Sequence, residues 1–267
     1  MRNRPAKVNS LKICCAQLET ALGAPDANLA RADASVGRAV ALGSDLVLFP
    51  EQFATGWDPA STKYAEEEGG PIESAWCRMA EEHGVWIAGS QRTQSPDGIR
   101  NTALISAPDG SVHARYAKTH LFRYAGEDQH YISGDSLSVC SCDGLLVGLA
   151  ICYDLRFPEL FRRYADLGVE CMLVPAAWPC SRIDIFTLFL HARAVENQYY
   201  VAGVSPTGTD AVDRYCGRSA IVDPLGKTLS SAGEGEECIT AEVDADYVES
   251  VRGRFPFRDD ARSDLLP

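Results

Sequence analysis

The sequence predicts an α/β fold, and three observations predict it. Apolar runs of strand length alternate with segments whose apolar residues recur at helical spacing. Gly and Pro mark the boundaries between them. No linker, low-complexity tract or internal repeat breaks the alternation. The 267 residues therefore read as one domain, with a core at about 11–253 and a C-terminal arm at 254–267.

Residues 1–10 are polar and basic and read as a loose N-terminal arm. Leu11–Leu18 reads as a buried strand. From Asn28 to Leu42 the residues Leu29, Ala32, Val36, Ala39 and Val40 fall on one helical face, and Gly43 supplies a stop. Leu46–Phe49 is a short apolar run closed by Pro50. Pro71–His83 is helical and ends at Gly84. Val85–Gln91, Ala103–Ser106 and Val112–Tyr116 read as strands, with turns at Pro96-Asp97-Gly98 and Pro108-Asp109-Gly110. Leu145–Ile151 is strongly apolar. Glu159–Leu167 is a helix stopped by Gly168. Cys171–Val174 reads as a buried strand and Asp184–Gln198 as a helix. Tyr199–Val204, Ser219–Val222 and Cys238–Val243 read as strands, with a turn at Pro224-Leu225-Gly226 before the last. The polar segment Phe255–Pro267 reads either as a frayed tail or as an arm that packs on a partner subunit.

Composition excludes several classes. The net charge of −12, from 37 acidic and 25 basic side chains, argues against binding to a nucleic-acid backbone, which calls for a basic face. No stretch approaches the roughly 20 apolar residues that cross a bilayer, so no membrane partner is expected. No apolar signal core follows Met1. Most of the ten cysteines sit in apolar runs, as Cys14 and Cys15 do, where a free thiol behaves as a small hydrophobe. This pattern reads as free thiols in a reducing cytoplasm. Cys140 and Cys142 form a Cys-x-Cys pair without a second ligand pair at zinc spacing, so no metal site is expected.

Catalytic groups of α/β proteins gather where strands end. Three strand ends carry reactive side chains. Asp45-Leu-Val-Leu-Phe-Pro-Glu51 runs an apolar strand into a carboxylate, although a Glu there can also simply face solvent. Tyr116-Ala-Lys118-Thr-His120 places a lysine after a strand. Here His120 competes, as the base of a Cys–His pair, but no Asn or Asp is identifiable as its orienter. Val147-Gly-Leu-Ala-Ile-Cys152-Tyr-Asp-Leu-Arg-Phe-Pro-Glu159 delivers a cysteine to a sharp strand-to-helix turn, where a helix N-terminus favours a thiolate. The alternative is a buried structural cysteine. The polar run from Tyr153 to Arg156 favours the functional reading.

Leu-Phe-Pro-Glu51, Tyr-Ala-Lys118-Thr-His-Leu-Phe and Ile-Cys152-Tyr-Asp-Leu-Arg-Phe-Pro-Glu-Leu resemble, in the family's order, the three signature segments of the nitrilase superfamily of carbon–nitrogen hydrolases. The likeness continues through Val174-Pro-Ala-Ala-Trp-Pro179, Ala192-Arg-Ala-Val-Glu-Asn-Gln198 and Ser219-Ala-Ile-Val-Asp-Pro-Leu-Gly226. The resemblance implies a four-layer α-β-β-α sandwich, a homodimer or higher homo-oligomer joined through helices, and no metal or organic cofactor. It implies Cys152 as nucleophile, Glu51 as general base, and Lys118 with the Tyr153 backbone N–H as oxyanion donors. It also implies a fourth polar residue, Glu127, with Asp128 as the neighbouring alternative.

The segment after Cys152, together with Pro-Ala-Ala-Trp-Pro, resembles the ω-amidase-like branch, which cleaves a small amide to carboxylate and ammonia through a cysteine thioester. True nitrilases more often carry Trp and Glu where this chain has Tyr153 and Asp154. One departure is Phe186 and Phe189 in a helix that often bears Trp near its start. Trp178 and Arg182 are candidate substrate-binding residues, Arg182 as a grip for a carboxylate. Arg193 reads rather as an ion pair with Glu196. Hydrolysis of N-carbamoyl amino acids or nitriles is the alternative activity, and a catalytically silent binding protein on the same fold is the alternative of another class.

Overall fold

The apolar runs form strands because both of their faces are buried, and each face meets a different layer. The computed structural model describes residues 9–262 and Leu265. The expected N-terminal arm, apart from Asn9 and Ser10, lies outside them. The first half runs β1 (Ser10–Gln17), α1 (Pro25–Ala41), β2 (Leu46–Leu48), α2 (Pro71–His83), β3 (Trp86–Ser95), β4 (Gly98–Ser106) and β5 (Val112–Ala117). Next come β6 (Val139–Cys142), β7 (Leu145–Leu149), α3 (Pro158–Asp166), β8 (Cys171–Pro175), α4 (Ile183–Asn197) and β9 (Tyr200–Val204). The chain closes with a hairpin of β10 (Thr207–Thr209) and β11 (Arg214–Cys216), then β12 (Ala220–Val222), β13 (Thr228–Ser231), β14 (Glu237–Asp244) and α5 (Ala245–Arg254).

Two six-stranded sheets result, in the orders β14-β1-β2-β3-β4-β5 and β13-β12-β9-β8-β7-β6. The centre of each is parallel and its flanks are antiparallel. Side chains alternate across a strand. Ile13, Cys15, Leu46 and Leu48 therefore meet Val147, Leu149, Leu173 and Ala202 between the sheets. Their neighbours Cys14, Ala16, Val47 and Phe49 pack on Val36, Trp76 and Met79 of α1 and α2. On the far side Met172, Val174 and Val201 pack on Phe161, Tyr164, Phe186 and Leu190 of α3 and α4. Three cores separate four layers, in the order α-β-β-α. Burial on both faces is why these strands read as unbroken apolar runs.

Local chemistry sets the boundaries. Pro25, Pro71 and Pro158 open α1, α2 and α3, where a missing N–H costs nothing. Gly84 ends α2 at φ +63°, a left-handed cap that a Cβ disfavours. Helix α1 starts before the expected Asn28, whose buried amide instead ties Ala21 to Ala54. Strands β3 and β4 run longer than expected, because the Pro96-Asp97 turn lets the polar segments on either side pair as a hairpin.

Two expectations are corrected. The segment after α5 is not frayed over Phe255–Asp260. It docks on its own chain, where Gln198 donates to the Phe255 carbonyl (2.7 Å) and Arg258 donates to the Ala165 carbonyl (2.7 Å) and pairs with Asp166 (2.6 Å). The Arg258 guanidinium satisfies carbonyl and charge at the end of α3. The cysteines are also not all thiols. Cys180 and Cys216 are joined in a disulfide, and the other eight are free. An isolated bridge between Pro179 and Tyr215 brings the two Cα atoms to 5.1 Å, within the range a disulfide spans. Among the described residues, no helix is long and apolar enough to cross a membrane.

Candidate active site

The three strand ends singled out in the sequence converge. Glu51 follows β2, and its N–H donates to the Ala176 carbonyl of the other sheet (3.1 Å). Lys118 follows β5, its N–H bonded to the Asn101 carbonyl on β4 (2.8 Å). Cys152 lies just beyond β7 at φ +44°, a left-handed conformation rare for a residue with a side chain. Glu127 opens a single 3-10 turn and accepts the Phe122 N–H (2.6 Å).

Lys118 is the hub. Its Nζ donates to Glu51 Oε1 (2.9 Å) and to both oxygens of Glu127 (3.0 Å each). All three side chains are essentially inaccessible to water. Asn101, which sequence reasoning missed, donates to Glu51 Oε1 (2.7 Å) and to Glu127 Oε1 (3.4 Å). The Ala177 N–H donates to Glu51 Oε2 (3.1 Å). Asp128 is not part of this cluster. It lies near the surface, 3.7 Å from Arg123.

Electrostatics follow from burial. Burial raises the Glu51 carboxyl above its ordinary range, the Lys118 charge opposes this, and the Glu127 charge adds to it. Burial alone would push Lys118 down, but Glu127 and Glu51 outweigh it and hold the ammonium well above its usual range. Burial and the Glu51 carboxylate push the Cys152 thiol well up, against Lys118 and the Ala177 N–H. The resting site thus holds a neutral thiol beside a carboxylate that accepts a proton more readily than an exposed Glu does.

The turn around Cys152 is locked by Asp154. This buried carboxylate accepts from the Ile151 N–H (2.9 Å), the His120 N–H (3.0 Å) and the Tyr116 hydroxyl (2.8 Å). His120 Nδ1 also lies 2.9 Å from Asp154. So His120 does have an acidic orienter, against the sequence reading. Yet its ring stacks on Phe157 and lines a separate surface groove, whereas Cys152 and Lys118 line the pocket.

That pocket encloses about 180 Å³. Trp57, Phe122, Tyr153, Trp178 and Tyr215 supply aromatic walls. Trp178 serves both core and pocket, with its Nε1 fixed on the Arg182 carbonyl (2.8 Å). Arg182 lies over Phe122, and Arg156 lies over Tyr153, Trp178 and Phe189. Neither guanidinium has a hydrogen bond or ion pair among the described residues. Arg156 was overlooked because it lies in the signature after Cys152, where it reads as part of a polar run. Arg193, by contrast, is spent on structure, donating to the Leu155 carbonyl and pairing with Glu196 (2.7 Å).

The sequence model of the carbon–nitrogen hydrolase family matches residues 12–253. The 2-oxoglutaramate amidase of Bacillus subtilis (strain 168) is 33% identical over 255 residues, covering 95% of this chain and 98% of the relative. A CN-hydrolase superfamily protein of Xanthomonas campestris, with an arsenic adduct in its active site, superposes with a TM-score of 0.90 at 31% identity, covering 95% of this chain and 98% of the other. A glutamate-to-glutamine variant of an amidase from Nesterenkonia sp. AN1, whose active-site cysteine carries the acetamide moiety of fluoroacetamide, superposes at 0.85 with 26% identity, covering 97% and 96% of the two chains. On the family match and these relatives, the chain is a member of the carbon–nitrogen hydrolases, the nitrilase superfamily.

Proposed function

We propose that the protein hydrolyses a small linear amide that carries a carboxylate, in the manner of an ω-amidase, through a thioester on Cys152. The observation that carries this reading is the buried Glu51–Lys118–Glu127 cluster beside Cys152, in a pocket bordered by two arginines that have no hydrogen bond or ion pair among the described residues. Glu51 takes the Cys152 proton as the sulfur attacks the amide carbon. The negative charge that develops on the carbonyl oxygen is met by the Lys118 ammonium and the Tyr153 N–H. Glu51 then returns the proton to the departing nitrogen, and ammonia leaves. Water, deprotonated by Glu51, hydrolyses the thioester and frees the carboxylate. Glu127 keeps Lys118 charged and in place. The four groups titrate as a coupled set, so a pH–rate profile reports the cluster rather than one member.

Arg182 and Arg156 suit a substrate carboxylate, since both guanidinia border the pocket and have no hydrogen bond or ion pair among the described residues. The likeness to the B. subtilis 2-oxoglutaramate amidase supports the same substrate class. Ammonia release is to be measured across short ω-amides, neutral amides, N-carbamoyl amino acids and nitriles, with 2-oxoglutaramate expected to be the best. A charge-assisted bond contributes about 1.5–3 kcal/mol, roughly a 10- to 150-fold effect. Arg182→Ala and Arg156→Ala should each raise KM for the acidic amide by a factor in that range, well beyond any change for propionamide. Equal losses on both substrates would make the arginines structural. Nitriles or carbamoyl compounds faster by tenfold would overturn the substrate class.

We also propose a cytoplasmic homodimer. The outer face of α4 leaves Leu188 and Val195 exposed, and Gly226, beside the exposed Leu225 in the turn between β12 and β13, lies close to Val195. Exposed apolar patches of this kind mark protein–protein contacts. Leu188→Asp is expected to halve the mass in light scattering, and an unchanged mass would place the interface elsewhere.

A further inference from the structure

Tyr215 sits in the pocket with an unmet hydrogen-bonding group. The residue is 6% exposed, lines the same cavity as Cys152 and Lys118, and its hydroxyl has no partner among the described residues. The Trp57 Nε1, on a residue that lines the same pocket, also has no hydrogen-bond partner among the described residues. A buried donor without an acceptor is costly and calls for an explanation, and a ligand supplies one. Burial, and then the charges of Asp210, Asp213, Glu51 and Cys152, hold the Tyr215 phenol above its ordinary range. It therefore stays protonated and able to donate.

Its support is unusual. Tyr215 lies on the β10–β11 hairpin, which pairs over three positions and belongs to neither large sheet. A lone two-stranded hairpin is marginally stable. On the Tyr215 strand, two links reach the segment after Trp178: the bridge between Tyr215 and Pro179, and the adjacent Cys216–Cys180 bond. That segment carries Arg182, which lines the same pocket.

We propose that Tyr215 donates its hydroxyl to a carboxylate or 2-oxo oxygen of the amide substrate, and that the Cys180–Cys216 disulfide positions it there. The inference rests on the amidase reading of the pocket. It makes substrate affinity follow the thiol–disulfide state of one cysteine pair. In reduction by a dithiol, two electrons and two protons pass to the two sulfurs. The S–S bond breaks, Cys180 and Cys216 become thiols, and the reductant closes into its own cyclic disulfide. Cytosolic disulfides are usually transient or redox-sensing, which suits such a link.

The test compares wild type with Tyr215→Phe, each in the disulfide and the dithiothreitol-reduced form, with the bond verified by intact mass and folding by circular dichroism. In the disulfide form, Tyr215→Phe should raise KM for 2-oxoglutaramate by about 10- to 150-fold, with a much smaller change in kcat. Reduction should raise the wild-type KM, reversibly with oxidised glutathione, and add nothing to the KM of Tyr215→Phe. Binding of 2-oxoglutarate, measured by calorimetry, should weaken in parallel. It needs no turnover, so failure of the amidase reading and failure of this contact are told apart. Unchanged KM and unchanged 2-oxoglutarate affinity in Tyr215→Phe would overturn the contact. An equal effect of reduction on both proteins, or none on wild type, would overturn the positioning role.

Discussion

Cys152→Ala is expected to abolish amide turnover, a loss of about 10⁴-fold or more, as for removal of other catalytic nucleophiles, while leaving the fold intact. The side chain is small, and alanine meets the same φ of +44° with the same strain as cysteine, so the turn has no reason to relax. The hydrogen bonds that hold this turn are accepted by Asp154 and are untouched. Cys142→Ala and Cys171→Ala are the controls. Both thiols lie in the core between the sheets and should remain active. Ammonia release alongside circular dichroism and thermal unfolding checks the expectation. Near-wild-type hydrolysis by folded Cys152→Ala would remove the nucleophile from the mechanism.

Lys118→Ala is expected to cost about 10³-fold or more in kcat/KM, since losing one oxyanion donor alone costs about 10²–10³. A second effect adds to it. Without the ammonium, Glu51 and Glu127 share Asn101 as two buried carboxylates with no counter-charge. One of them must then take up a proton, which impairs Glu51 as a base. Breaking a buried ion pair on one side destabilises by about 3–5 kcal/mol, so unfolding is measured in parallel. Lys118→Met fills more of the space, and it should fold better yet stay inactive. His120→Ala loses one bond to Asp154 and the stack on Phe157, outside the pocket, and should do much less harm. If His120→Ala at equal folding is the more damaging change, a Cys–His mechanism replaces this one.

The fold was legible wherever burial leaves a periodic trace. Strands β1, β2, β7, β8 and β9 are apolar on both faces, and helix α2 is bounded by Pro71 and Gly84, so each reads directly from the chain. Helix α5 and four short strands were missed. Helix α5 buries only Ala245, Val248 and Val251, and its other positions are polar or Gly. Strands β6, β10, β11 and β13 are short, and pairing rather than composition defines them.

The site divides in the same way. Glu51 and Cys152 each follow an apolar strand and Lys118 follows the more polar β5, and a reactive side chain at a strand end is a position that the chain itself advertises. Asn101 sits within β4 between Arg100 and Thr102, and nothing local sets it apart from its neighbours. Its meaning comes from Glu51, fifty positions earlier, and from Glu127. The Cys180–Cys216 bond closes over 36 positions between a short turn and the end of β11, and spacing alone gives no pairing. Tyr215 acquires a role only once the hairpin folds over the pocket.

The central claim is a thioester on Cys152, and trapping it is the most direct test. Glu51 serves both acylation and deacylation, so the intermediate is to be caught in the wild-type protein during turnover. The enzyme is mixed with 2-oxoglutaramate, quenched rapidly in acid, digested and weighed by mass spectrometry. The account predicts an added mass equal to the amide minus ammonia, on the peptide that carries Cys152, and none on Cys152→Ala. An adduct on another residue, or ammonia release by wild type with no adduct under any quench, would contradict it.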